Sequence, residues 1–170
     1  MGVQMRSIST IGYEGATPER FDSALAVARV DVLVDVRAEA ASGRRGFSKF
    51  ELSARMKAAS RGYLHLRALG APKPARLAAR ARDFAAARRL YAAHLETPEA
   101  QAAMQELARL AAGRRVALVC FEAEAEECHR SIIAERIATA GGMAILDLVA
   151  AEAHEPFGSA RTAHRLGLAA

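Results

Sequence analysis

The run Val30–Val36 (V-D-V-L-V-D-V) limits this chain more than any other segment. Five β-branched or aliphatic residues within seven positions make a strand, and their density suits one buried on both faces. Such strands belong to parallel sheets covered by helices on either side. Arg115–Phe121 reads the same way, and Ser7–Gly12, Tyr63–Leu66 and Met143–Leu148 are shorter β-prone runs. Helical signals lie between them. Thr17-Pro18-Glu19 and Thr97-Pro98-Glu99 each give an N-cap oxygen, a proline at the first position and an acid in the first turn. Phe21, Leu25 and Ala28 share one face of the first of these helices, and the second ends near Gly113. Ser48 followed three residues later by Glu51 is a capping box, opening a helix to about Ser60 with Gly62 as its stop. Arg76–His94 reads as one basic helix after a loop at Leu69–Pro74. Glu126–Ala140 reads as another, with Ile132, Ile133 and Ile137 inward and Gly141-Gly142 ending it.

Strands alternating with helices imply an α/β fold: one three-layer domain with a mainly parallel sheet of about five strands. A chain of 170 residues suits one domain. The core is expected over about residues 7–150, with 151–170 as a C-terminal tail lacking clear periodicity. No segment has the length and apolarity of a bilayer span, and Met1–Thr10 lacks a signal-peptide pattern, so the expected location is the cytoplasm, away from membranes.

The formal net charge is +5, and 21 of the 24 basic residues are arginine. Arginine suits phosphate and carboxylate because its planar fork donates two parallel hydrogen bonds. Nucleotides, DNA and RNA are therefore the polyanionic partners to consider. An excess of arginine with alanine is also what a GC-rich genome writes. Three tyrosines, six phenylalanines and no tryptophan argue against an aromatic platform for stacked bases.

In open parallel sheets ligands bind beyond the carboxyl ends of the strands. Tyr13 and Glu14 follow the first strand; Asp35, Arg37, Glu39, Arg44 and Arg45 follow the second; His65 and Arg67 the third; Cys120, Glu122, Cys128, His129 and Arg130 the fourth. With a helix starting near Glu126, Cys128, His129, Arg130 and Ser131 fall in its first turn and a half. There, unpaired N–H groups and a partial positive charge favour anions and a thiolate. The expected ligand-binding set is Tyr13, Arg37, His65, Arg130, Ser131, Arg44 and Arg45. The expected catalytic set is Glu122 or His129 as acid or base, with Cys128 or Cys120 as nucleophile. Each has a structural alternative: Cys120 as inert core, His65 as a hydrogen-bonded scaffold residue, Asp35 with Arg37 as a buried pair fixing the loop, and the arginine-rich helix as a solvated face. Glu122, Glu124, Glu126 and Glu127 oppose an anion unless they point away. Two cysteines with His129 and His65 can in principle ligate a metal, but Cys-x7-Cys-His is not a recognised ligand spacing, so no metal is expected.

Several motifs occur in order: Thr10-Ile11-Gly12-Tyr13-Glu14-Gly15, Val34-Asp35-Val36-Arg37, Arg44-Arg45-Gly46-Phe47-Ser48-Lys49, Tyr63-Leu64-His65-Leu66 with Leu69-Gly70, and Cys120-Phe121-Glu122 with Cys128-His129-Arg130. Together they resemble the prokaryotic family called domain of unknown function 488, from about Ser7 to Leu148. The resemblance implies a small α/β domain with a motif-rich face and no established reaction, and it leaves the cofactor unknown. The chain departs from the common pattern after Leu69-Gly70, where it has Ala71-Pro72-Lys73-Pro74-Ala75-Arg76. A more distant similarity is to rhodanese-type sulfurtransferases, through Asp35-Val36-Arg37 and through Cys120 with Arg130-Ser131. In those enzymes the loop from Cys to Arg is short, whereas nine residues intervene here.

Three functions follow as alternatives: an enzyme or binding domain for an anionic, phosphate-bearing ligand; a non-enzymatic nucleic-acid-binding module; and a cysteine-dependent sulfur-transfer or redox protein.

Overall fold

The computed structural model describes residues 6–150 and the backbone of 163–165. Its strands are β1 (Ser7–Gly12), β2 (Val32–Asp35), β3 (Gly62–His65), β4 (Val116–Cys120), β5 (Ala144–Leu148) and β6 (Ala163–Arg165). Its α-helices are α1 (Pro18–Val27), α2 (Lys49–Ala58), α3 (Lys73–Arg80), α4 (Phe84–His94), α5 (Pro98–Gly113) and α6 (His129–Gly141). The sheet order is β3-β2-β4-β1-β5-β6. The first five are parallel, and β6 runs antiparallel to β5, pairing Leu146 with His164. The expected α/β architecture with helices on both faces is what forms.

Alternation along each strand sends side chains to two separate cores. Ile8, Val32, Val34 and Leu118 face the helices α3–α6, where they meet Leu95, Leu107, Ile133 and Ile137. Ile11, Leu33, Ala117 and Val119 face Phe21 and Leu25 of α1 and Leu52 and Met56 of α2. A strand buried on both faces needs this apolar density, which is why Val30–Val36 was so informative.

The predicted caps form. Thr17 accepts from Arg20 N, Thr97 from Ala100 N, and Ser48 and Glu51 make both halves of the capping box. Four expectations change. The basic helix over Arg76–His94 is two helices, because Arg82 takes a left-handed φ of 60° and Asp83 caps α4 through Ala86 N. The Leu69–Pro74 loop is shorter than expected: a 3-10 turn covers Arg67–Leu69 and α3 already starts at Lys73. Ser60, at φ 55°, makes the left-handed exit from α2, and Gly62 belongs to β3 instead. Helix α6 starts at His129 rather than near Glu126: Ala125–Glu127 is a 3-10 turn, and Cys128 is extended at φ −118° and ψ 144°. The tail over 151–170 lies outside the described residues, apart from the backbone of β6.

Beyond β2, Arg37 and Asp35 form a buried pair. Arg37 Nε and Nη2 donate to the two Asp35 carboxylate oxygens at 2.9 and 2.6 Å, and Nη1 donates to Tyr13 Oη at 3.0 Å and Phe47 O at 2.9 Å. Burial works against the Arg37 charge, but Asp35 outweighs it and raises the guanidinium above its ordinary range. Tyr63 Oη donates to the same carboxylate at 2.6 Å. Tyr13 stacks on Phe47 at 4.6 Å between ring centroids. This hub ties the ends of β1, β2 and β3 to the 38–48 loop. Breaking a buried pair strands a charge, which costs about 3–5 kcal/mol, whereas replacing both partners with apolar residues is far milder. Asp35→Ala is expected to lose about 3–5 kcal/mol in urea unfolding, and Asp35→Leu with Arg37→Met to recover much of it. Equal losses in the two proteins would refute the pair's role.

Candidate functional site

The site grows from the two central strands. β1 and β4 are parallel neighbours, with Gly12 paired to Cys120. The chains leaving them stay together: Tyr13 N and Glu14 N both donate to Phe121 O, at 3.1 and 2.8 Å. A Cβ on residue 12 would lie 1.9 Å from Glu122 O, so only glycine fits where the two backbones meet. Glu14 Oε2 accepts from Ala123 N at 3.1 Å.

Arg130 fixes this loop from below. It is 1% exposed. Its guanidinium donates to Glu122 O at 2.5 Å, to Ala123 O at 2.9 Å and to Thr10 Oγ1 at 3.3 Å. Glu122 meets Arg130 through its backbone carbonyl and not through its carboxylate.

The clamped loop presents Cys120 and Glu122 to the start of α6. His129 Nδ1 lies 3.9 Å from Cys120 Sγ and 3.8 Å from Cys128 Sγ. Nε2 of the same ring lies 2.8 Å from Val36 O and donates to it. Tyr91 packs edge-on against the imidazole, with centroids 5.0 Å apart, and its hydroxyl donates to Leu69 O at 2.6 Å. Neither cysteine is in a disulfide. Glu122 Oε2 is buried and has no hydrogen-bond partner among the described residues.

These groups set one another's protonation. Burial raises the Glu122 carboxyl to about 7, with the adjoining Cys128 sulfur adding to the rise. A hydrogen bond to Cys128, together with burial, pushes the Cys120 thiol well up. Burial opposes the Cys128 thiolate, but the hydrogen bond from Cys120 and the charge and hydrogen bond of His129 outweigh it, leaving that thiol well below its ordinary value. Burial works against a charged His129 and the Cys128 thiolate overcomes it, so the imidazole is raised. The cluster thus favours charge on Cys128 and His129 together and opposes it on Cys120 and Glu122.

A cavity of about 610 Å³ opens over this cluster. Tyr13, Arg37, Cys120, Glu122, Cys128 and His129 line it, bringing together six expected site residues from β1, β2, β4 and α6. The other five do not line it. His65 Nε2 bonds to Arg37 O at 2.8 Å, Arg44 donates to Ala16 O at 2.8 Å, Ser131 Oγ donates to Cys128 O at 2.9 Å, Arg130 is the clamp, and Arg45 is exposed. Another wall went unforeseen: Arg76, Arg80, Arg82 and Arg88 of the α3–α4 region line the cavity with Tyr91. Their sequence signal was the arginine run itself, read as a solvated face. Tyr91, in an alanine-rich helix, gave none.

The family model described as Domain of unknown function DUF488 matches residues 17–137, and the chain belongs to that family. The matched span holds every motif of the resemblance except Thr10–Gly15. A comparison with curated proteins and one with solved structures each found no match.

Gly12→Ala tests the meeting of the two strand ends. The added methyl must displace the Glu122 peptide, and overpacking of this kind costs roughly 1–3 kcal/mol. A lower urea midpoint of that size is the expected result; parental stability would show that the 121–124 loop moves without penalty.

Proposed function

We propose that this member of the DUF488 family is an enzyme that takes a phosphate-bearing ligand, a nucleotide or the end of a nucleic acid, into the cavity beyond β1, β2 and β4. One observation carries this reading: four arginines from a single helix–turn–helix, Arg76, Arg80, Arg82 and Arg88, line a cavity whose other lining residues include Cys120, Glu122, Cys128 and His129. Its volume of about 610 Å³ falls within the usual range for small-molecule sites. The anion-binding role falls to the α3–α4 arginines, of which Arg76 and Arg88 make long ion pairs with Glu39 and Glu135 at 3.9 and 3.4 Å, rather than to Arg37 and Arg130, which are buried and already donate to protein oxygens at close range.

Acidic residues share the lining. Glu14, Glu122, Glu126 and Glu127 come from the loops after β1 and β4 and Glu39 from that after β2, while the four arginines come from the α3–α4 region. A bare polyanion would suffer from the acids. A nucleotide suits both parts: phosphate oxygens accept from guanidinium, and sugar hydroxyls or base N–H groups donate to carboxylates. Glu122, lining the cavity with a buried oxygen that has no partner among the described residues, is the acid–base group of this reading.

Titration of the full chain with a nucleoside diphosphate, inorganic phosphate and a short single-stranded oligonucleotide tests it. Nucleotide binding is expected to weaken with salt, and Arg80→Ala with Arg82→Ala to lose at least tenfold in affinity, since a hydrogen bond to a charged group contributes about 1.5–3 kcal/mol. Oligonucleotide binding alone would favour a nucleic-acid module over an enzyme for nucleotides. No association with any of the three at low salt would overturn the reading.

A further inference from the structure

We infer that Cys120, Cys128 and His129 form a zinc site with three protein ligands at the edge of the cavity. Their donor atoms all lie within 4.8 Å of one another. Zinc–sulfur bonds of about 2.3 Å and zinc–nitrogen bonds of about 2.0 Å at tetrahedral angles place sulfur and nitrogen about 3.5 Å apart. The two sulfur–Nδ1 distances here, 3.9 and 3.8 Å, need only a few tenths of an ångström of closure.

The imidazole is already oriented for this. A metal-bound histidine donates its other ring N–H to a carbonyl or carboxylate, which fixes the tautomer and the ring plane. His129 Nε2 does so to Val36 O at 2.8 Å, which leaves Nδ1 as the nitrogen near both sulfurs, at 3.9 and 3.8 Å. Tyr91 packs against the ring. Both thiols are buried, so their tie to one imidazole nitrogen is not a surface accident.

The donor chemistry selects the metal. Two thiolates and an imidazole are soft to borderline ligands, suited to zinc rather than to magnesium or calcium. Binding balances as Zn²⁺ displacing the Cys120 thiol proton and the proton shared between Cys128 and His129, leaving two thiolates, one neutral imidazole and no net charge on the core. Three protein ligands are the number of a catalytic zinc, whose fourth position takes water or substrate. Glu122 lines the same cavity and carries a buried oxygen without a partner among the described residues, so it is the carboxyl available to a group bound there.

The same three residues also suit a thiolate nucleophile, and the measurement separates the two. The purified full chain, stripped with a chelator and then given zinc chloride, is expected to retain one equivalent and to lose reactivity of both thiols toward a thiol reagent. Cobalt(II) in place of zinc is expected to give a thiolate-to-cobalt charge-transfer band and the visible bands of a tetrahedral ion. Cys128→Ser and His129→Ala are expected to weaken zinc binding by more than the roughly 10–100-fold that loss of an outer partner costs. Arg80→Ala with Arg82→Ala is expected to leave zinc binding intact, and nucleotide titration in the presence of chelator reports on the arginine wall alone, so the two readings fail separately. A chain that retains no zinc and shows no thiolate–cobalt band, with both thiols equally reactive in the presence and absence of metal, would overturn the site. The cobalt spectrum of the unaltered chain decides this even if the variants fail to fold.

Discussion

The candidate site depends on one buried guanidinium. Arg130 lies beneath the loop after β4 and donates to the carbonyls of Glu122 and Ala123. Those carbonyls belong to a segment that also accepts two N–H groups from the chain leaving β1. The bend that carries Cys120 and Glu122 to the cavity has the peptide oxygens of Phe121, Glu122 and Ala123 held by these donors. A buried carbonyl left without a donor costs roughly 1–3 kcal/mol, so the cation beneath this half-buried loop favours the conformation seen. The residue that looked most like an anion ligand is the support on which the site rests.

This divides the arginines by role. Arg37 and Arg130 are buried and bonded on all three guanidinium nitrogens, one to a carboxylate, a hydroxyl and a carbonyl, the other to two carbonyls and a hydroxyl. Their fork geometry serves to tie strand ends together. Arg80, Arg82 and Arg88 reach the same cavity from exposed positions on the α3–α4 pair. Exposed guanidinium groups lose little hydration by waiting for a ligand, whereas a buried cation needs a partner at all times. The same side chain therefore builds the scaffold where it is buried and offers charge to a ligand where it is not.

How much could be read from the sequence follows from how local each signal is. Strand density and helix caps act within a few residues, so β1, β2, β4, α1, α2 and α5 were legible nearly to their ends. The break at Arg82 was marked only by Asp83 behind it, and a continuous run of alanine and arginine concealed it. The start of α6 shifted because four glutamates are compatible with either a helix or a 3-10 turn, and the packing of Ala125 and Cys128 chose the turn. Strand ends identified Tyr13, Arg37, Cys120, Glu122, Cys128 and His129 as neighbours, since a parallel sheet brings such ends to one edge. The same logic placed His65, Arg44, Arg45, Arg130 and Ser131 there too, because position along a strand does not say which way a side chain turns. The arginine wall depends on α3 and α4 folding back over the sheet, a long-range contact with no local mark.

The spacing of the cysteines conceals the cluster for a related reason. Metal-ligand spacings known from short motifs describe ligands held on one hairpin or one helix turn. Here Cys120 is the last residue of a buried strand and Cys128 the cap of the helix that follows, and the intervening loop is set by Arg130 and the β1 terminus rather than by the ligands. What joins them is a histidine whose ring is aimed by Val36, just beyond a third strand. The donor set is thus brought together by strand ends of the sheet. A search for a fixed ligand spacing misses a site of that kind. The geometry to look for is an imidazole with one nitrogen bonded to backbone and the other facing two buried sulfurs.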